Sequence, residues 1–229
     1  MAIVFAMAVP HPPIIIPDIG RGEERKIQNT IDGYMEVARR AAEFNPDTVV
    51  VLSPHSTLYS DYFHISPGKS ARGDFGRFGA RRVSVEMEYD TEFVHELSSL
   101  AETEGLPAGT LGERDSKLDH GTLVPLYFLT QFMPQAKLVR IGISGLSYLD
   151  HYRLGKLISR VSESLGRKTV FVASGDLSHK LKEDGPYGFA EDGPEFDRRI
   201  MDTLSSGDFI KMFDFTPAFC DSAGECGLR

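Results

Sequence analysis

At 229 residues, with 41% hydrophobic and 25% charged side chains, the chain is long enough to bury a sizeable core and has a soluble globular composition. A formal net charge of −8 argues against a nucleic-acid-binding surface, and no apolar run approaches the roughly 18 residues of a membrane span. Two cysteines, Cys220 and Cys226, are too few for a disulfide framework, and the apolar start lacks a basic n-region. The chain therefore reads as cytoplasmic.

Ala2 to Val9 is an apolar run that stops at Pro10-His11-Pro12-Pro13. Ile14 to Asp18 reads as a connection. Residues 23–44 carry an apolar stripe of Ile27, Ile31, Tyr34, Val37, Ala38 and Ala41 at helical spacing, closed by Asn45-Pro46. Thr48 to Leu52 is β-branched and wholly apolar, the pattern of a strand buried on both faces of a parallel sheet, and it ends at Ser53-Pro54-His55. These elements make a β-α-β unit, which implies parallel strands. Residues 61–66 and 82–87 read as strands flanking a Gly/Arg-rich loop from Pro67 to Gly79. The arginines at 72, 77, 81 and 82 form a basic cluster there, read as a solvated loop or hairpin, with a lip for an anionic substrate as the alternative.

Asp90 is placed to cap a helix running to Glu104, with Phe93, Val94, Leu97 and Leu100 inward. His120 lies where a loop enters a helix predicted for Leu123 to Phe132. A strand over 137–143, a helix over 148–165 closed by Gly166, and a strand over 169–173 come next. The last strand runs through Ser174-Gly175-Asp176-Leu177-Ser178 to His179. Residues 194–204 and 208–213 read as helices. The expected fold is one α/β domain with a mostly parallel central sheet flanked by helices. Ligands then sit at the carboxyl ends of the strands.

Four of the seven histidines, His11, His55, His120 and His179, sit just past strand ends or in Gly/Pro-bounded loops. His64, His95 and His151 fall within regular elements and read as packing or surface residues. Neutral imidazole is the commonest metal ligand and the natural acid/base near neutral pH. Two histidines with one carboxylate suit non-haem Fe(II), and they suit catalytic zinc as well. Glu225 comes after small residues that permit close backbone approach. Asp176 reads either as an orienting partner for a histidine or as a cap, and Cys226 either as a thiolate ligand or as an inert buried thiol. Glycine-rich nucleotide motifs and Gly-x-Ser-x-Gly are absent.

Pro10-His11-Pro12-Pro13, Ser53-Pro54-His55, Asp119-His120-Gly121 and Gly175-Asp176-Leu177-Ser178-His179 together resemble the motifs of class III extradiol dioxygenases of the LigB type. They occur in that family's order and spread over nearly the whole chain. The terminal run from Ala223 through Glu225 and Cys226 to Arg229 is similar to the AmmeMemoRadiSam branch, which is related to the Memo proteins. The resemblance implies a LigB-type domain over residues 1–229. In that branch such a domain can be followed by an AMMECR1 domain, so a further element is expected after Arg229.

By the same resemblance, His11, His55 and Glu225 become Fe(II) ligands, with zinc or another divalent metal as the alternative. His179 becomes the acid/base, and His120 a donor near bound oxygen or a substrate hydroxyl. The implied reaction opens a catechol-like ring with O2, with a small aromatic diol as substrate. The family also implies a homo-oligomer and an AMMECR1-type domain or radical SAM partner. Memo-like members carry a cysteine in place of the carboxylate, so Glu225 and Cys226 both stay open as third ligand. The alternative function is a metal-binding accessory protein of a redox or radical-enzyme system without ring cleavage. A zinc hydrolase on the same ligands is a third reading.

Overall fold

The computed structural model describes residues 3–227. Ala2, at the expected start of the first strand, and Leu228-Arg229, at the end of the terminal motif, lie outside the described residues. Among the described residues the chain forms two compact units, one running up to Ser174 and the other comprising residues 175–227.

The first unit is built on the apolar runs. Its elements are β1 (Ile3–Val9), α1 (Pro17–Gly20), α2 (Gln28–Ala42), β2 (Thr48–Ser53), β3 (Phe63–His64), β4 (Ser70–Phe75) and β5 (Ala80–Glu88). Next come α3 (Thr91–Thr103), β6 (Ala108–Gly109), α4 (His120–Leu129), β7 (Lys137–Gly142), α5 (Tyr148–Ser164) and β8 (Thr169–Ser174). Among the described residues the central sheet has the order β1-β8-β2-β7, with every pair parallel. Successive strand residues face opposite sides. Val49, Val51, Val170 and Val172 accordingly pack with Tyr34 and Ala38 of α2 and Val124 of α4. Val50, Val139 and Ile141 pack with Phe93 and Leu97 of α3 and Leu154 and Ile158 of α5. The expected α/β architecture is the one observed.

Register brings the strand ends level. Val9 pairs with Ser174, Leu52 with Ala173, and Ser53 with Gly142. The segments leaving these strands therefore start from one edge of the sheet.

Several local expectations are corrected. The stretch Glu23–Ile27 is a 3-10 helix, so the α-helix begins only at Gln28. The connection after His11 contains a 3-10 turn and α1, and it buries Ile15 and Ile16 completely. The expected loop from Pro67 to Gly79 contains β4, which pairs antiparallel with β5 around a 3-10 turn at Gly76–Phe78. Ala71, Gly73 and Phe75 form its buried face. Gly73 disguised that alternation because it is not apolar, yet the position needs it: a Cβ there would stand 2.8 Å from Leu118 Cβ and 2.9 Å from Leu123 Cδ2. His120 is the first residue of α4 rather than part of a loop, because Asp119 caps the helix three residues earlier than expected.

In the second unit, α6 (Asp192–Ser206) and α7 (Pro217–Ala223) flank a 3-10 segment, Phe209–Asp214. The helix expected over 208–213 is thus 3-10, and α7 was not anticipated. Its signals were local: the Thr216 side chain accepts from Phe219 N–H, Pro217 opens the helix and Gly224 closes it. Phe196, Ile200, Phe215, Cys220 and Ala223 make a small core, with the Arg199 guanidinium over the Phe215 ring at 4.4 Å. No helix among the described residues is long and apolar enough to cross a membrane.

Asp90 ties the first unit together at the amino ends of its strands. Its carboxylate accepts from Phe93 N–H at 3.2 Å as the α3 cap, from Thr48 Oγ1 at 2.7 Å at the start of β2, and from Arg167 Nε at 3.0 Å ahead of β8. Burial pushes the Asp90 pKa up. The hydrogen bonds from Thr48, Arg167 and the Phe93 amide outweigh it and hold the carboxyl below its ordinary value. A carboxylate with a depressed folded-state pKa contributes stability that is present above the unfolded pKa and lost as pH falls through the folded one. Asp90→Asn is therefore expected to lower stability at neutral pH by roughly 1.5–3 kcal/mol, the worth of hydrogen bonds to a charged group. Urea unfolding of both proteins from pH 7 down to pH 2 checks it, and the gap should start to narrow at about pH 4, the unfolded carboxyl range, and close as the pH falls through the lower folded value. A gap that persists unchanged at the acid end would refute the assignment.

Candidate active site

The histidines after β1 and β2 converge at the level carboxyl edge of the sheet. His11, two residues past β1, is 1% exposed. Its loop is held from α2, where the Tyr34 hydroxyl donates to the Pro10 carbonyl. His55 lies just past β2, and its backbone N–H donates to Ser53 Oγ at 3.2 Å. Ser53 in turn donates to Asp119 Oδ1 at 2.7 Å, and Asp119 also accepts from the amide and hydroxyl of Thr122. The cap of α4 thus also orients the loop that carries His55. His120 stacks on His55, with ring centroids 4.0 Å apart and planes at 29°, and lies 5.5 Å from His11. Gly121 permits this approach, since a Cβ there would meet Ser53 Oγ at 2.5 Å.

A proline decides which nitrogen of His11 is available. In an α-helix the N–H of residue 125 would bond the carbonyl of residue 121, and Pro125 has no N–H. The Gly121 carbonyl instead accepts from Ser174 Oγ at 2.5 Å. Ser174, with its one proton committed, can only accept at its other contact, His11 Nδ1 at 3.0 Å. Nδ1 of His11 therefore carries the hydrogen, and Nε2 presents a lone pair. His55 Nε2 lies 3.0 Å from it. Two imidazole nitrogens bound at right angles to one ion, each at about 2.1 Å, would stand roughly 3 Å apart. The pair fits a divalent metal once the single proton between them is displaced.

The second unit prepares another imidazole. His179 receives support from the turn after α7: its backbone N–H donates to Gly224 O at 3.2 Å, and its Nδ1–H donates to the same carbonyl at 2.5 Å. Nε2 is thereby the open nitrogen, 3.7 Å from Asp176 Oδ2, with the Tyr187 ring 5.0 Å from the imidazole. Cys226 N–H donates to Asp176 O at 3.2 Å. Asp176, His179 and Cys226 form a close group of potential metal donors within this unit. Burial pushes the Cys226 thiol up to about 11. Glu225, the expected carboxylate ligand, adjoins the group in sequence but is not one of those three donors.

The remaining histidines match the expectation of structural roles. His64 is buried and donates from Nε2 to Glu113 O at 2.8 Å, and burial lowers its pKa. His151 bonds Ser147 O and accepts from Ser144 N–H, while His95 is exposed. Sequence reasoning missed Ser174 as a positioning group, having read it only as the start of the run that leads to His179. It also missed Pro125.

The chain matches, over residues 5–229, the family described as the catalytic LigB subunit of aromatic ring-opening dioxygenase. It belongs to that family, and one family match runs through both compact units. Among curated relatives, Protein CA_C1420 of Clostridium acetobutylicum is 37% identical over 96% of this chain and 49% of its own length. The 3,4-dihydroxyphenylacetate 2,3-dioxygenase of Escherichia coli is 26% identical over 85% of this chain and 74% of the relative. A 2,3-dihydroxyphenylpropionate/2,3-dihydroxicinnamic acid 1,2-dioxygenase of the same species is 25% identical over 68% and 51%. The chain thus spans about half the length of the Clostridium relative.

Ser174→Ala removes the group that sets the His11 tautomer and leaves the Gly121 carbonyl without its donor. It is expected to weaken divalent metal binding about 10- to 100-fold, as loss of a group supporting a ligand does. The fold should survive at a cost of about 1–3 kcal/mol. Metal titration beside urea unfolding checks both. Unchanged metal affinity in the folded variant would show that Ser174 does not orient the ligand.

Proposed function

We propose that the protein is a non-haem Fe(II)-dependent extradiol-type dioxygenase that opens a catechol-like ring with O2. The observation that carries this reading is the His11–His55 pair, with one lone pair preset, at the carboxyl edge of a parallel sheet in a chain of the ring-opening dioxygenase family. A divalent iron held by His11 and His55 would supply adjacent open positions for an aromatic diol and dioxygen. For the third ligand the reading rests on the sequence motif, which assigns Glu225.

The residues around the ligands have definable tasks. His11 and His55 stay neutral as nitrogen donors, the former through Ser174. His179, with Nδ1–H spent on Gly224 O, offers Nε2 to take a hydroxyl proton from the diol and return it later. His120, at the first position of α4 and stacked on His55, serves as a donor toward a substrate hydroxyl.

One observation favours a second reading. Cys226, not Glu225, is the residue grouped with Asp176 and His179, and a thiolate donor suits a metal-binding accessory protein of the Memo type, without ring cleavage.

Oxygen uptake by anaerobically Fe(II)-loaded protein, offered a panel of catechols, separates the two. Uptake with a ring-opened chromophore is expected. His179→Ala should retain metal and lose turnover by roughly 100- to 10,000-fold. His55→Ala should lose most of the metal. Bound iron with no uptake from any catechol would overturn the dioxygenase reading in favour of the accessory role, and normal turnover of His179→Ala would remove it from the mechanism.

A further inference from the structure

Residues 111–117 form an exposed strap in the first unit, and Glu113, Asp115 and Lys117 within it line a cavity of about 500 Å³ beside His55 and His120. The ends of the strap are fixed by backbone. The Gly109 carbonyl accepts from Ile65 N–H at 2.8 Å, and the Ser116 carbonyl from Arg72 N–H at 3.1 Å. Between these points, among the described residues, no backbone group of residues 110–115 bonds another backbone group. Side chains hold it instead. The Tyr62 hydroxyl accepts from Leu111 N–H at 3.4 Å, and the Tyr59 hydroxyl from Glu113 N–H at 3.1 Å. His64 Nε2–H donates to Glu113 O at 2.8 Å, and Arg140 of β7 donates to Asp115 O at 2.8 Å and to Lys117 O at 2.7 Å. Gly112 lets the chain pass close to Tyr59, since a Cβ there would collide with that hydroxyl. A segment held in this way opens more easily than the sheet beside it.

Of these clamps only the imidazole changes charge between about pH 5 and 8. His64 is 1% exposed on β3, and its donation to Glu113 O fixes the proton on Nε2. Nδ1 is buried and has no hydrogen-bond partner among the described residues. A second proton would have to go there, where no acceptor meets it. It would also create a cation facing the Arg140 guanidinium. Arg140 is itself buried, and its partners, Ser66 Oγ at 2.7 Å and the two strap carbonyls, are all neutral. Around the rest of the ring Tyr59 is uncharged, β6 brings only Ala108 and Gly109, and Glu113 supplies the carboxylate. That carboxylate is engaged by the amides of Arg114 and Asp115 at 2.6 and 2.8 Å. Burial, helped by Arg140, outweighs the Glu113 groups and holds the imidazole below its ordinary value.

We propose that residues 110–117 are an acid-released strap, latched as a wall of the cavity by neutral His64 and opened when His64 takes a proton. The closed strap resists a proton at Nδ1, whereas opening lets the imidazolium hydrate, so protons draw the equilibrium toward the open form. Closure is fully favoured above the open-state value of about 6.5. It weakens about tenfold for each pH unit below that, until the lower closed-state value is reached. Opening takes Glu113 and its neighbours out of the cavity wall, so access to His55 and His120 widens as the pH falls. The inference does not depend on the chemistry proposed for those histidines.

The test is hydrogen–deuterium exchange of the full chain between about pH 8 and 5, with each amide referred to an unstructured peptide of the same sequence. Protection of the Leu111 and Glu113 amides is expected to be level down to about pH 6.5 and then to fall about tenfold per pH unit. The Val50 and Val51 amides of β2, paired on both sides in the sheet, should stay protected throughout. His64→Gln keeps a donor for Glu113 O but cannot titrate, so its strap protection should stay level. Strap protection independent of pH in the wild-type protein, which needs no variant to fold, would overturn the proposal. So would a loss shared equally by β2, which is global unfolding, or the same fall in folded His64→Gln. Exchange reads opening and not turnover. Failure here therefore leaves the dioxygenase reading standing, and absence of oxygen uptake leaves the strap.

Discussion

A serine hydroxyl has one proton to give, and the first unit is organised around where Ser174 gives it. Pro125 leaves the Gly121 carbonyl without its helical donor, Ser174 fills that place, and His11 must then donate to Ser174. Three elements distant in sequence, α4, β8 and the loop after β1, are coupled through one oxygen atom. A proline inside a helix is usually destabilising. Here its missing hydrogen bond turns outward and becomes part of the site.

The two units prepare their imidazoles by the same device. His11 spends Nδ1–H on a hydroxyl oxygen and His179 spends it on a carbonyl, and each keeps Nε2 as an acceptor. The supporting groups differ in rigidity. Ser174 sits on a strand in the middle of the sheet, whereas Gly224 is the closing turn of the short helix α7. A ligand needs a fixed direction and a proton carrier needs freedom to exchange, so the division suits the roles proposed for them.

Much of this was legible in the sequence. The valine run of β2, the apolar stripe of α2 and the Asp90 cap declared themselves through period and composition, and the histidines at strand ends announced an edge where chemistry could gather. Other features depend on neighbours that sequence does not place side by side. Ser174 acquires its role only because β8 lies next to β1. Arg140 read as one more residue of an ordinary strand, since nothing local says that its partners are all neutral. The β4 strand was hidden by Gly73, whose lack of a side chain is what lets Leu118 and Leu123 approach. In α7 the cap residues were visible but the helix was too short to carry a clear period.

The strand order carries a consequence for how the chain is made. β8 lies between β1 and β2 and is the last strand of its sheet to leave the ribosome. Until it arrives, β1 has no partner in the sheet, and β2 offers an unpaired edge of five apolar or β-branched residues. Such edges attract other strands, and pairing across so long a separation is intrinsically slow. The β2 edge thus stays unprotected by β8 through most of the chain's synthesis. Ser174, the final residue of that strand, completes the sheet and sets the His11 tautomer in one event, so the metal ligand is tuned only when folding of the sheet is finished.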